Sequence, residues 1–164
     1  MLHLEVLVRM ILVGLAATAI LDLWLLLLGR LGVPTLGMAL VGRWAGHLLR
    51  GKVVHAAIRQ SPPIRGEQVL GWAVHYAIGA AFAALLTALA GAAWLQRPTI
   101  APALAVGIAT VAAPLLVLQP AMGAGIASSR TPAPVRNSLR SALNHGVFGL
   151  GLYLAALAVS AVHA

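Results

Sequence analysis

Four long apolar stretches alternate with more polar connections along this chain. An α-helix rises about 1.5 Å per residue, so roughly 20 residues cross a bilayer core of about 30 Å. A segment in lipid must satisfy its own backbone hydrogen bonds, which an α-helix does. The sequence therefore predicts an all-α, polytopic membrane protein, a single integral membrane domain with four transmembrane helices. The predicted helices cover residues 6–28, 68–89, 100–118 and 139–162.

The composition excludes the other broad classes of protein. Of the 164 residues, 61% are hydrophobic and 9% are charged, whereas a soluble domain carries about 25% charged residues. A disordered chain would be polar rather than apolar. The net charge of +8 does not indicate nucleic acid as a partner, because the basic residues flank apolar stretches instead of covering a polar domain. The absence of cysteine from the sequence excludes disulfides and thiolate metal sites.

The distribution of basic residues predicts the topology. Two of the eleven cations, Arg9 and Arg97, fall on the side of the membrane that holds both termini. The other nine fall on the side of the two long connections, and cytoplasmic loops carry an excess of Lys and Arg. Both long connections are therefore expected in the cytoplasm and both termini in the periplasm. The nine are Arg30, Arg43, Arg50, Lys52, Arg59, Arg65, Arg130, Arg136 and Arg140.

The first long connection contains the pattern of an amphipathic helix. Thr35 is placed to cap it, after which apolar residues recur every four positions with basic residues on the opposite face. The pattern predicts a helix at the membrane interface with its apolar side in lipid. The alternative is a cytoplasmic helix packed on the end of the bundle. The apolar face has Leu36, Leu40, Trp44 and Leu48, and the basic face has Arg43, His47 and Arg50.

The expected partners follow from this membrane assignment. The bilayer is the first, and anionic lipid head groups are expected to contact Arg43, Arg50 and Lys52. A homo-oligomer, or a membrane complex with another protein, would also suit a chain with so few helices.

Polar side chains inside the predicted spans form a second pattern. Asp22, His75 and His145 each lie six or seven residues from the predicted cytoplasmic end of a span, which is roughly 9–11 Å deep at the helical rise. Asn144 lies beside His145, and Gln119 ends the third span. The sequence therefore predicts a polar layer to which all four helices contribute.

Small residues share helix faces with the members of this layer. Residues four apart lie on one face of a helix, and small residues let helices approach closely. The Asp and His side chains are thus expected to point inward. In the third span we expect a kink at Pro114 and an end at residues 119–120. The faces are Gly14, Thr18 and Asp22; Gly71, His75 and Gly79; and Ser141, His145 and Gly149.

Three interpretations of the polar layer stay open. In the first, Asp22, His75 and His145 bind or relay a proton or a divalent metal, as in transport, because ionisable groups within spans are functional by default. In the second, they only fix helix packing, and the protein is a structural or accessory subunit. In the third, the two histidines are axial ligands of haem b, and Gly79 and Gly149 clear space for the ring. An enzyme is the least favoured class, since no hydrolase, metalloprotease or P-loop motif occurs.

Several stretches resemble a bacterial inner-membrane family of unknown function for which four helices are predicted. The resemblance covers nearly the whole chain and implies a location in the bacterial cytoplasmic membrane, but no activity. The stretches are G-L-A-A-T-A-I-L-D-L-W (14–24), G-V-P-T-L-G-M-A-L-V-G-R-W-A-G-H (32–47), G-W-A-V-H-Y-A-I-G (71–79), Q-P-A-M-G-A-G-I-A-S-S-R-T-P (119–132) and N-H-G-V-F-G-L-G-L-Y-L (144–154).

Overall fold

The computed structural model describes residues 2–162, and its regular secondary structure is entirely helical over that range. Short 3₁₀ turns occur in the connections, at Ile58–Gln60, Ala92–Leu95 and Ile126–Ser128. A π-helical segment, Ala113–Leu118, precedes α5. The α-helices are α1 (Leu2–Arg30), α2 (Met38–Leu48), α3 (Glu67–Ala90), α4 (Ile100–Ala109), α5 (Gln119–Ala121) and α6 (Pro134–Val162).

Four helical stretches are long and apolar enough to cross a membrane, which confirms the predicted number of spans. Each extends a few residues beyond the predicted apolar stretch, because helical conformation continues into the polar flanks. The third reaches Ala121 instead of ending at residues 119–120. The four stretches are His3–Arg30, Glu67–Ala90, Ile100–Ala121 and Pro134–Val162.

The outer surfaces of these helices are apolar. Leu23, Val69 and Leu139 are 67%, 75% and 65% exposed, respectively. Exposed apolar area costs free energy in water, at about 25 cal/mol per Å². Contact of these side chains with lipid tails carries no such cost, so the distribution of exposed residues suits a membrane environment.

The third span is interrupted near its middle. The helix α4 ends at Ala109 with Thr110 as its C-cap, and the π-helical segment begins at Ala113. Pro114 has no N–H to donate to the carbonyl four residues earlier, which belongs to Thr110. The irregularity predicted at Pro114 is therefore observed, and it takes the form of a break one turn before the proline.

The described residues form two compact units. The first unit contains the residues up to Val33, the segment Tyr76–Thr110 and the residues from Asn144 onward. Helices approach one another closely in it, since a Cβ added to Gly107 would overlap the backbone of Gly149. The most deeply buried side chains of its core, at most 2% exposed, include Val13, Ala17, Leu86, Ala103 and Leu152.

The second unit contains Pro34–His75 and Val111–Leu143. Here α2 packs against the start of α3, and a Cβ on Gly42 would overlap the carbonyl oxygen of Glu67. The loop after α2 is tied to the end of the third span by two backbone hydrogen bonds. The N–H of His55 donates to Ala121 O (2.8 Å), and the N–H of Ile58 donates to Met122 O (3.0 Å).

The helix α2 exists where the sequence predicted one, but its start and the burial of His47 differ from the prediction. It begins at Met38 with Gly37 as N-cap and no side-chain cap, so Thr35 does not cap it. His47, predicted on the polar face, is only 9% exposed. The close approach between α2 and α3 determines which face is buried. That face consists of Val41, Gly42, Ala45, Gly46 and His47.

Candidate functional site

Asp22, the acid within the first span, is hydrogen-bonded in the first unit. The hydroxyl of Tyr76, on α3, donates to its Oδ2 at 2.8 Å. Both side chains are half-buried. The contact connects α1 with α3 through two groups that can each exchange a proton. Tyr76 was not singled out from the sequence; its only signal there was its position next to His75.

His145 is also hydrogen-bonded in the first unit. Its Nδ1 lies 3.0 Å from Oγ1 of Thr110, and that hydroxyl lies 2.7 Å from the carbonyl oxygen of Gly107. A carbonyl only accepts, so the Thr110 proton goes to Gly107 and Nδ1–H of His145 donates to Oγ1. This assigns the tautomer of a neutral His145 and leaves its Nε2 with a free lone pair. Thr110, which the sequence analysis missed, is buried at the break in the third span.

Asn144 and Trp24 provide a third polar contact in the first unit. The indole Nε1–H of Trp24 donates to Oδ1 of Asn144 at 3.0 Å. It connects α1 with α6, as the contact of Thr110 with His145 connects the end of α4 with α6. Asn144 was predicted in the layer, whereas Trp24 was assigned only to the membrane boundary.

The remaining two predicted members of the layer, His75 and Gln119, belong to the second unit. The ring of His75 makes an edge contact with Trp72, at 5.9 Å between centroids. Gln119 accepts a hydrogen bond from Ser128 Oγ (2.9 Å) and donates to Ser141 Oγ (3.3 Å). Gln119 thus joins the end of the third span to the loop after it and to α6.

Two features of the structure, the arrangement of possible metal ligands and the surroundings of two glycines, concern the metal and haem hypotheses. Within residues 2–162, no group of three His, Asp or Glu side chains is arranged to hold a metal ion. The glycines expected to clear space for a haem ring are helix contacts instead. A Cβ on Gly79 would overlap Thr18 Oγ1, and one on Gly149 would lie 2.9 Å from the Ala103 carbonyl oxygen.

An ion pair fixes the start of α3 in the second unit. Arg43 donates from Nε and Nη2 to the two carboxylate oxygens of Glu67, at 2.9 and 2.8 Å, and from Nη1 to the carbonyl oxygen of Ser61 at 3.1 Å. Its pKa is raised, mainly because of the hydrogen bonds to Glu67. All three guanidinium nitrogens of Arg43 are therefore hydrogen-bonded within the protein. Arg50 and Lys52, the other two residues predicted to contact anionic lipid, are exposed.

A pair of histidines lies in the same unit. The rings of His47 and His55 are 5.1 Å apart, and Nε2 of His47 is 3.0 Å from the carbonyl oxygen of Pro62. His55 is 3% exposed, and neither ring nitrogen has a hydrogen-bond partner among the described residues. Burial lowers the pKa of His55, nearby Lys52 and His47 lower it further, and the backbone of Ala121 acts in the opposite direction. Nothing in the sequence alone distinguished His55 from an ordinary loop residue.

Comparison with known proteins gives a family but no activity. The sequence model of a family described as "Protein of unknown function (DUF2938)" matches residues 11–159. No curated protein and no solved structure matches the chain.

Proposed function

Because the chain belongs to this family of proteins of unknown function, we propose a function from its own geometry. We propose that it is an integral membrane protein that relays protons through polar side chains held within its helices. The observation that carries the proposal is the hydrogen bond between Asp22 and Tyr76 inside two apolar spans. An ionisable group at such a place is costly and therefore marks a functional site by default.

The Asp22–Tyr76 pair has the chemistry of a proton-exchanging site. The carboxylate accepts a hydrogen bond at 2.8 Å, a distance over which a proton can pass. A phenol both donates and accepts, so Tyr76 can give up its proton on one side and take one on the other. Asp22 then alternates between a carboxylate that accepts and a carboxylic acid that donates.

His145 supplies a second group of the same kind in the first unit. Its Nδ1–H is held by Thr110, so Nε2 is the atom that can accept and release a proton. A proton is the species we propose, since a divalent cation needs more ligands than the described side chains bring together. His75 stays a predicted member of the layer, on the strength of its position in the sequence.

We further propose the topology and location that the basic residues and the family resemblance favour. The two long connections would face the cytoplasm of a bacterium, and both termini the periplasm. The helix α2 would lie at the interface, because Leu36, just before it, and Leu48, at its end, are 44% and 38% exposed. Arg50 and Lys52 would then be the residues in contact with anionic head groups.

A structural or accessory role is the second candidate, and the same hydrogen bonds favour it. They connect α1 with α3, α1 with α6, and the end of α4 with α6. Hydrogen bonds between membrane helices contribute on average about 0.6 kcal/mol, so three of them would help to fix the packing. The two candidates differ in whether Asp22 must change its protonation state.

Proton flux into proteoliposomes tests the proposal. We expect purified protein to acidify vesicles that contain a pH-sensitive dye when a potassium diffusion potential is imposed. Asp22→Asn keeps the size and polarity of the side chain but removes the exchangeable proton, and should reduce the flux about tenfold or more. Tyr76→Phe should reduce it as well. Glu5→Gln removes another acid from the same helix and serves as the matched control.

The outcomes separate the two candidates. Wild-type flux in Asp22→Asn, or no flux above that of empty vesicles in the wild type, overturns the proton relay. If Tyr76→Phe, which removes the donor of the hydrogen bond, then unfolds at a lower temperature than wild type, the hydrogen bond is structural.

Cysteine labelling in intact cells tests the topology, since the chain has no cysteine of its own. An impermeant thiol reagent should not label Ser129→Cys, which is exposed in the second long connection. The matched control is Gln96→Cys, exposed between α3 and α4, which should be labelled. The reverse pattern would invert the topology.

A further inference from the structure

The loop after α2 borders an open pocket of about 260 Å³ in the second unit. It adjoins the pair of histidines and lies outside the helices that carry the proposed proton relay. The lining residues are Lys52, Val54, His55, Ala56, Ala57, Gln60, Ser61 and Pro62. Four of these side chains are polar, and no acidic residue is among them.

The first observation that points to a ligand is His55 itself. It lines the pocket, is 3% exposed, and has two buried ring nitrogens without a hydrogen-bond partner in the described chain. A buried polar group is costly unless it is paired. A ligand oxygen that accepts a hydrogen bond from the imidazole would satisfy one of these two nitrogens and reduce that cost.

The second observation is the charge of the surroundings. The second unit holds eight of the eleven cations of the chain and one acid, Glu67. Both oxygens of that carboxylate are engaged by Arg43, and one also accepts from the N–H of Ile64. No carboxylate of this unit is left to neutralise Lys52. An anion is therefore favoured in the pocket and a metal cation is disfavoured.

We propose that this pocket binds a phosphate group, either of a soluble phosphorylated compound or of a lipid head group. Lys52 supplies the positive charge, and His55, Gln60 and Ser61 supply hydrogen-bond donors. The contact of His47 with the Pro62 carbonyl holds the wall of the pocket beside His55. The proposal does not depend on the proton relay, because the two sites share no residue.

Titration with inorganic phosphate tests the site directly. Purified, delipidated full-length protein should bind phosphate by calorimetry and should unfold at a higher temperature in its presence. Lys52→Gln and Gln60→Leu should each weaken binding about tenfold, the loss expected for one strong polar contact. Arg65→Gln removes an exposed cation of the same unit that does not line the pocket, and should bind like wild type.

Nanodiscs distinguish the two sources of phosphate. If the ligand is a head group, phosphatidic acid in a phosphatidylcholine nanodisc should compete with inorganic phosphate; if it is soluble, nanodisc composition should not matter. Either result supports a phosphate site. Equal effects of Arg65→Gln and Lys52→Gln, equal binding of chloride, or zinc binding that requires His47 and His55 in place of phosphate binding would each overturn it.

Discussion

The two units of this molecule differ in the balance of charge among their polar side chains. In the first unit polar groups are few, and Asp22, Asn144 and His145 each find a hydrogen-bond partner on another helix or at its end. The second unit holds eight cations and a single acid, and neither ring nitrogen of the buried His55 has a hydrogen-bond partner among residues 2–162. Groups surrounded by lipid must be paired within the protein. The excess charge of the second unit instead suits partners from outside, such as phosphate or anionic head groups.

The largest effect we expect is on the packing of the first unit. Gly149→Val would place a side chain 2.9 Å from the Ala103 carbonyl oxygen, where backbone cannot easily give way. Overpacking of this kind costs about 3 kcal/mol. Gly146→Val, one turn away on α6, is the control because nothing lies within 4 Å of the added Cβ. Thermal unfolding in detergent should separate the two variants clearly. Equal stability would mean that the helices of the first unit are not in close contact.

A smaller effect is expected from the hydrogen bond that holds His145. Thr110→Val preserves the shape of a buried side chain but leaves Nδ1–H of His145 without its acceptor. Loss of such a bond between membrane helices costs about 1–2 kcal/mol at most. Thermal unfolding measures the change, and Thr99→Val is a control because Thr99 is exposed. An unchanged unfolding temperature would show that polar pairing in the first unit is less important than the comparison suggests.

The sequence predicted the four spans well because a long apolar stretch is a local property of the chain. It predicted which polar residues lie in the spans, but it did not identify Tyr76, Thr110 or Trp24 as their partners. Those contacts depend on how each helix is rotated about its axis and on the break near Pro114, neither of which a single helix determines.

The burial of His47 in α2 has the same physical origin. The sequence predicted His47 on the polar face of this helix, whereas the close approach of Gly42 to α3 buries that side chain. A contact between two helix backbones thus buries a residue that the pattern of one helix places on its polar face. His55 was not identified from the sequence for a related reason, since its burial depends on the hydrogen bonds of its loop to Ala121 and Met122.

The smallest effect concerns pH, and it belongs to the second unit alone. Burial lowers the pKa of His55, so the unfolded chain binds a proton more readily than the folded one. The stability contributed by neutral His55 is then fully present above its unfolded pKa, about 6.5, and decreases as pH falls from there toward the lowered folded value. Wild type should therefore unfold at a lower temperature at pH 5.5 than at pH 7.5, and His55→Asn should reduce this difference. Inorganic phosphate should reduce it too, because an anion beside His55 stabilises the protonated ring. An identical pH dependence in wild type and His55→Asn would show that the buried imidazole of the second unit does not titrate differently from an exposed one.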